Sequence, residues 1–563
     1  MSRSALAILV GIAALALAAC SGASSGDTND PATSTPPPTR STNPNIAPGL
    51  GDPTASSGEA RQGGVLNIQY ADPPTLDPAL VTDTTSAGLI VEIFSGLVTL
   101  DESMTIVPDL AESWSTSGGG TVYEFRLRDG LKFSDGSPVT AADFKWSIER
   151  AAHPDTGSFN ADTYLGDIIG IKEIINGRGE VTEAAGIEVV DGRTFKITID
   201  APKAYFLAKL TYPTAFVLKR ENVEAGGRSW TDTPVGTGPF FLREYRIGQR
   251  IVLERNENYW GRAAYVDRVV MNLAGGVAMA MYENDEIDIT GVGLADRDRV
   301  QDPTEPLNAD LVSVPPQFSI SYIGFNVNQA PFDDLKFRQA LTHAVNKQLI
   351  ADQVYSGFRE PAFNILPPRF PGYSDDIGGL AFNLELAQQL LAESAYADPA
   401  SRPPIVVTIP GTGGSPSLDV EVIQDMWRNN LGVEIEIRQV EWATYLQDLN
   451  RGRLQAWAGL GWSADYADPQ DFIDILFASD SANNHGHYLN EQVDQLVLQA
   501  RTEQDESRRF ELYNEAEQLI VEDAPWVPLW FDSEGLALIK PWVKDYKFVP
   551  IIVPRFKDVW IDK

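Results

Sequence analysis

Polar and apolar residues alternate along Val65-Leu66-Asn67-Ile68-Gln69-Tyr70, and again along Tyr123–Leu127, Thr194–Ile199 and Arg250–Glu254. A period of two is the pattern of a strand with one buried face. Elsewhere the period lengthens. Leu89, Ile90, Ile93, Phe94 and Leu97 recur at i, i+3, i+4 spacing, which predicts a helix over Ser86–Leu97. The same reading predicts helices over Leu335–Tyr355, Glu385–Ser394, Asp419–Asn429 and Ser507–Glu522. Thr140 stands three residues before Asp143 at the head of a further apolar-periodic stretch through Arg150, close to a capping box. Strands at Ile405–Pro410 and Val433–Gln439 flank the Asp419 helix, a β-α-β unit expected to cross over right-handed. The chain is therefore α/β, and no short repeat is present.

The first twenty residues follow a different pattern. Arg3 gives a positive start, and Ala5–Ala16 is an apolar run of secretory length, too short for a comfortable membrane span. Leu17-Ala18-Ala19 then leads into Cys20, the only cysteine of 563 residues. This resembles the bacterial lipobox, in which the leader is cut before a cysteine that carries lipid. The alternative is an ordinary export signal with an incidental cysteine. The lipobox implies residues 1–20 as a lipoprotein signal peptide and an extracytoplasmic protein lipid-anchored to the cell membrane through Cys20. Residues 21–61 are rich in Ser, Thr, Pro, Gly, Asp and Asn, with Ile46 and Leu50 the only large apolar residues. Such a segment cannot offset its ordering entropy and is expected to be a disordered tether.

The chain beyond Gln62 is long enough for two or three domains. No later apolar run has the length of a membrane span. If Cys20 carries lipid, no disulfide can form, so stability must come from a large core. The net charge of −34 opposes nucleic-acid binding, which calls for basic faces, and mildly favours cationic ligands.

Enzyme chemistry finds little support. The Gly22-x-Ser24-x-Gly26 match lies in the tether, without the strand and helix that a nucleophile elbow needs. Gly236-Thr237-Gly238-Pro239 lacks the spacing and lysine of a phosphate loop and reads as a turn into a strand. The four histidines are His153, His343, His485 and His487. His485-Gly486-His487 lacks the carboxylate or cysteine company of a zinc site, so no metal and no cofactor are expected. Asp465 and Asp468 form one of many acidic pairs in an acidic chain and do not argue for glycosidase chemistry.

From Pro108 the sequence reads P-D-L-A-E-S-W, followed by Y-E-F-R-L-R-D-G-L-K-F-S-D-G-S-P-V-T-A-A-D-F from Tyr123. Further blocks are T-L-D-P at Thr75, G-T-G-P-F at Gly236, E-R-N-E-N-Y-W at Glu254, F-N-V-N-Q-A-P-F at Phe325, F-R-Q-A-L-T-H-A-V-N-K at Phe337 and G-W-S-A-D-Y-A-D-P at Gly461. Together they resemble the family 5 extracellular solute-binding proteins of ABC transporters over residues 62–563, and the oligopeptide-binding branch above all. Trp114, Phe125, Leu127, Phe133 and Phe144 within these blocks read as core.

The resemblance implies a two-lobed periplasmic-binding-protein clamshell of the class II type, with an additional subdomain on the first lobe. Lobe I takes residues 62–99, 190–313 and 513–563. The additional subdomain takes 100–189, and lobe II takes 314–512. The resemblance also implies no enzyme activity, a monomer, and partners that are an oligopeptide ligand and the permease subunits. Ligand backbone would pair with Thr82-Asp83-Thr84 on the first lobe and Gly461-Trp462-Ser463 on the second. Asp465 matches the carboxylate that receives the ligand's α-ammonium group, and Tyr322 and Tyr164 are further cleft candidates. Gly459 and Asn450 stand where related proteins place arginines for the ligand carboxylate. Other occupants compatible with the family are an oligosaccharide or a metal chelate, and a peptide sensor that does not transport is a further alternative.

Overall fold

The computed structural model describes residues 59–563; Cys20, the leader and nearly all of the expected tether lie outside them. Two mixed sheets organise the chain. The first has seven strands in the order Leu311–Val314, Gly535–Ile539, Ile289–Gly291, Val65–Gln69, Arg268–Asn272, Arg250–Arg255, Phe240–Arg246. The second has six, in the order Arg359–Pro361, Trp526–Asp532, Ser319–Phe325, Ala456–Ser463, Val406–Pro410, Glu436–Val440.

The chain passes between the sheets twice, in opposite directions. Leu311–Val314 in the first sheet runs on into Ser319–Phe325 in the second. Trp526–Asp532 in the second runs back into Gly535–Ile539 in the first. The outgoing and returning strands pair antiparallel in both sheets, Val314 opposite Gly535 and Ile320 opposite Phe531. The backbone N–H of Gln317 donates to Asp532 at 3.0 Å between these pairings. Two adjacent crossings of this kind form a hinge, about which two lobes can rotate without breaking either sheet.

These pairings correct the expected boundaries. Position 512 falls inside the helix Glu506–Asp523, and the strand Trp526–Asp532 belongs to the second sheet. The return to the first lobe begins at Gly535–Ile539, because Trp526–Asp532 finds its pairing partner in Ser319–Phe325. Likewise the additional sheet of four strands, Ala111–Ser117, Val122–Leu127, Thr194–Thr198 and Ile187–Val189, extends past residue 189.

Local signals largely fix the elements. The backbone N–H of Thr140 donates to Asp143 at 2.8 Å, the reciprocal half of a capping box at the start of Ala141–Ala152. Val406–Pro410 and Glu436–Val440 are parallel and flank the helix Leu418–Leu431. The stretch Leu335–Tyr355 is two helices, Leu335–His343 and Lys347–Gln353, because Asn346 turns its side chain onto the N–H of Leu349 and starts a second helix. The first helix among the described residues, Thr84–Ile93, is shifted from the expected Ser86–Leu97 because Asp83 caps it. Its C-terminus lies against Gly236 and Gly238. A Cβ on Gly236 would come within 2.0 Å of the Ile93 carbonyl, so that turn depends on glycine.

Candidate ligand-binding cleft

One strand of the second lobe ends in a free backbone edge. Ala456–Ser463 pairs with Ser319–Phe325 from Ala456 opposite Phe325 to Ser463 opposite Ser319, with a register shift between Tyr322 and Gly324 that passes over Ala458 and Gly459. On its other side Val406–Pro410 pairs with Ala456 and Trp457 alone. Gly459 then adopts φ +70°, and a side chain there would meet Pro410 at 3.0 Å. A glycine in this conformation turns the strand away from its neighbour. Among the described residues no strand pairs with that edge beyond Trp457, so Gly461, Trp462 and Ser463 present it unpaired. Gly461 is exposed, while Trp462 and Ser463 are half-buried.

Asp465 follows two residues later. Its carboxylate accepts the hydroxyl of Tyr164, from the helix Ala161–Leu165 in the additional subdomain. The Tyr164 ring lies flat on Tyr212, with centroids 3.7 Å apart and planes 3° apart. Tyr212 in turn donates to the carbonyl of Val81 at 3.3 Å, and Asn160 Nδ2 donates to the same oxygen at 2.7 Å. The stacked tyrosines thus tie Asp465 to the segment that leads into Thr82-Asp83-Thr84. That segment is not a strand. Thr82 is in a loop, Asp83 is the N-cap residue, accepting from Ser86 N–H at 2.9 Å, and Thr84 opens the helix.

Asp471 completes the second-lobe side. It is fully buried, and one of its oxygens accepts the N–H of Asp465 at 3.0 Å and the indole N–H of Trp462 at 3.4 Å. Its other oxygen is buried without a hydrogen-bond partner. Among the described residues no Lys, Arg or His forms an ion pair with Asp83, Asp465 or Asp471. By contrast, Asp468 pairs with Arg509 at 2.7 Å.

The electrostatics follow from this isolation. Burial pushes the Asp465 carboxyl up to about 7, against the stabilising bond from Tyr164. Burial raises Asp471 as well, and the neighbouring Asp465 charge adds to it. Asp83 is raised by burial, against its capping bonds. Withdrawing carboxylates from water with no cation beside them is costly, and a bound cation would reverse that cost.

Two further contacts join the additional subdomain to the second lobe. Asn483 donates to Thr163 at 3.0 Å, and His485 stacks on Phe159 with centroids 5.7 Å apart. Burial lowers His485 to about 4. Tyr322 is fully buried and lies flat against Trp526 at 3.4 Å, in the core rather than beside Asp465. Among the described residues no group of three or more His, Cys, Asp or Glu is placed to hold a metal. Sequence reasoning did not single out Tyr212, Asn160 or Asp471. Asp471 stands six residues after Asp465 and two beyond the W-S-A-D-Y-A-D-P block, which was the available signal.

Residues 105–484 match the model of the bacterial extracellular solute-binding proteins, family 5. The chain belongs to this family. Family 5 proteins bind solutes for transport and are not enzymes, so this is a binding protein with the family's two-lobed fold. One relative is the probable deoxycholate-binding periplasmic protein YgiS of Escherichia coli K12, 31% identical over 491 residues, covering 84% of this chain and 89% of YgiS. Another is the periplasmic oligopeptide-binding protein OppA of Salmonella typhimurium, also 31% identical, covering 84% of this chain and 87% of OppA. The murein tripeptide binding protein MppA of Escherichia coli is 28% identical and superposes with a TM-score of 0.79, covering 89% of this chain and 99% of MppA. MppA in its unliganded open form gives 0.62 at 27% identity, covering 90% and 98%. In this chain the bond between Tyr164 and Asp465 joins the additional subdomain to the second lobe.

Proposed function

We propose that this chain is the extracytoplasmic substrate-binding component of an ABC importer. In this reading it captures oligopeptides in the cleft and delivers them to the permease while held to the membrane by lipidated Cys20. The observation that carries the reading is Asp465: a half-buried carboxylate with no cationic partner among the described residues, just beyond the end of a strand whose edge is open. An extended peptide can add to the Gly461-Trp462-Ser463 edge by main-chain hydrogen bonds, which do not depend on its sequence. Its α-ammonium group supplies the charge that Asp465 lacks, with Tyr164 holding the carboxylate in place. Thr82-Asp83-Thr84 faces the ligand from the first lobe. Relatives named for oligopeptide binding support the reading. Deoxycholate, named for YgiS, is an anion, and the unpaired aspartates of this cleft would repel it.

The test is calorimetry with a free tripeptide and its N-acetylated form. Loss of one partner of a buried charged pair costs about 2–5 kcal/mol, so acetylation and Asp465→Asn should each weaken binding strongly. Equal binding of free and acetylated peptide would refute amine recognition. Absence of binding by any peptide, with a non-peptide released from the denatured protein in mass spectrometry, would refute peptide capture.

A further inference from the structure

One buried atom joins the open edge to the carboxylate beyond it. Asp471 Oδ2 accepts the indole N–H of Trp462, on that edge, at 3.4 Å, and the backbone N–H of Asp465 at 3.0 Å. Between these two residues the N–H of Ala464 donates to the carbonyl of Phe318 at 2.8 Å, which prolongs the pairing of the strand by one step. The chain from Trp462 to Asp465 is thus held at three points, two of them on one oxygen.

That oxygen is itself anchored. Asp471 closes the short 3₁₀ turn Pro469–Asp471, and its N–H donates to the Asp468 carbonyl at 3.0 Å. Asp468 caps the turn by accepting Gln470 N–H at 3.0 Å, and pairs with the buried Arg509 at 2.7 Å. Pro469 lies so close to Gly372 that a Cβ there would come within 2.6 Å of its ring. Phe472, the next residue, meets Phe370 edge-on with centroids 5.0 Å apart. Asp471 is fully buried, so it acts on a ligand only through Trp462 and Asp465. Its other oxygen, Oδ1, is buried without a hydrogen-bond partner, and a carboxyl enclosed in this way costs the fold stability.

We propose, resting on the peptide reading above, that Asp471 is a positioning residue that fixes the register of the bound peptide by setting the distance between the Trp462 edge and the carboxylate of Asp465. An α-ammonium group at Asp465 places the first peptide groups of the ligand on the Gly461–Ser463 edge. Moving the amine outward by one methylene lengthens the ligand backbone by about 1.5 Å. A charge-assisted hydrogen bond is confined to about 2.7–2.9 Å, so a braced site satisfies either the amine or the backbone pairing of such a ligand, but not both. The protein therefore selects an α-amino terminus over a β-amino terminus, and Asp471 is the residue that makes it do so.

The test titrates glycyl-alanyl-alanine and β-alanyl-alanyl-alanine, which differ by one methylene, into the full chain. The α-peptide should bind more tightly by about tenfold or more. Asp471→Ala removes both bonds, and in that variant the ratio of the two affinities should fall to about one. Asp471→Asn keeps an oxygen able to accept both N–H groups and should retain most of the ratio. Trp462→Phe removes one donor and leaves Asp471 in place, so its ratio should lie between, and it decides the matter if Asp471→Ala does not fold. Each ratio is taken within one variant, so a loss of stability alone does not move it. Equal binding of the two peptides by the unaltered protein would overturn the proposal while peptide capture stands. An undiminished ratio in Asp471→Ala, or in Trp462→Phe where the former does not fold, would do the same. Loss of the ratio in Asp471→Asn would assign the effect to charge rather than position and would also overturn it. If neither peptide binds the unaltered protein, the peptide reading fails and the proposal fails with it.

Discussion

The hydroxyl of Tyr164 is bonded to the carboxylate of Asp465, joining residues 301 positions apart across the boundary between the additional subdomain and the second lobe. Tyr164 is fixed from behind by its stack on Tyr212. The bond therefore orients Asp465 and stabilises its ionised form. Tyr164→Phe keeps the ring and the stack but removes the donor. Hydrogen bonds to charged groups contribute about 1.5–3 kcal/mol, so peptide affinity should fall by that order while the melting temperature changes little. Calorimetry beside a thermal melt separates the two effects. A variant with unchanged affinity would show that the hydroxyl does not support the ligand site.

The raised carboxyl makes binding pH-dependent, with a definite sign. Asp465, lifted to about 7 by burial, is largely protonated in the ligand-free closed cleft at pH 5 and ionised at pH 8. An ammonium ligand requires the ionised form, so binding expels a proton. Affinity should fall as pH drops below about 7, by at most about tenfold per unit. It should fall again above about 8, where peptide α-amines lose their charge. In Tyr164→Phe, which loses a bond that favours ionisation, the acid limb should move to higher pH. Titrations from pH 5 to 9 read both limbs, and a flat profile would count against a titrating partner for the amine.

The open edge beyond Trp457 makes a prediction about the ligand backbone. A strand added to an edge directs alternate N–H groups toward it. N-methylation of a peptide at successive residues should therefore cost affinity at alternate positions, by about 1 kcal/mol or more for each lost bond. Uniform tolerance of N-methylation would mean that Gly461, Trp462 and Ser463 do not pair with the ligand.

Short-range order was legible where one local interaction decides it. The alternation of Val65–Tyr70 and the Thr140–Asp143 cap needed no tertiary information, and both appear at those positions. The break at Asn346 was hidden because the apolar period continues through it while a side-chain cap restarts the helix. The path of Trp526–Asp532 was hidden for another reason. A buried strand looks the same whichever sheet receives it, and its partner Ser319–Phe325 lies some two hundred residues earlier. The W-S-A-D block pointed to Asp465, but not to Tyr212 or Asn160, whose positions depend on packing between distant segments. Asp83 could be placed near the cleft from T-L-D-P, but its capping bond, which leaves one oxygen unpaired, is a property of the folded backbone.

Cys20 lies outside the described residues, and its role rests on the L-A-A-C sequence and the polar stretch behind it. No helix among the described residues is long and apolar enough to cross a membrane. If the cysteine carries several acyl chains, each buried CH₂ contributes about 0.8 kcal/mol, enough together for stable attachment. Cys20→Ala should lose label in a lipid-labelling experiment and move to the soluble fraction. Equal labelling of the variant would place the anchor elsewhere.

The far end of the ligand should be treated differently from its amino end. Gly459 and Asn450 supply no cation, and Gly459 is instead committed to the turn away from Pro410. Arg359 is paired with Asp532 at 3.1 Å on the strand Arg359–Pro361, so its charge is already answered. A carboxylate enclosed in this cleft would meet further carboxylates rather than a partner, and burying it unpaired is costly. The ligand's carboxyl terminus should therefore remain hydrated or extend out of the cleft. Peptides of several lengths should bind, and amidation should change affinity by less than about 1.4 kcal/mol, a tenfold effect. Matched acids and amides of three to six residues, titrated under one set of conditions, measure this directly. A larger loss on amidation, confined to one length, would reveal a cation at a fixed distance from Asp465, and the exposed Arg369 would be the first residue to replace.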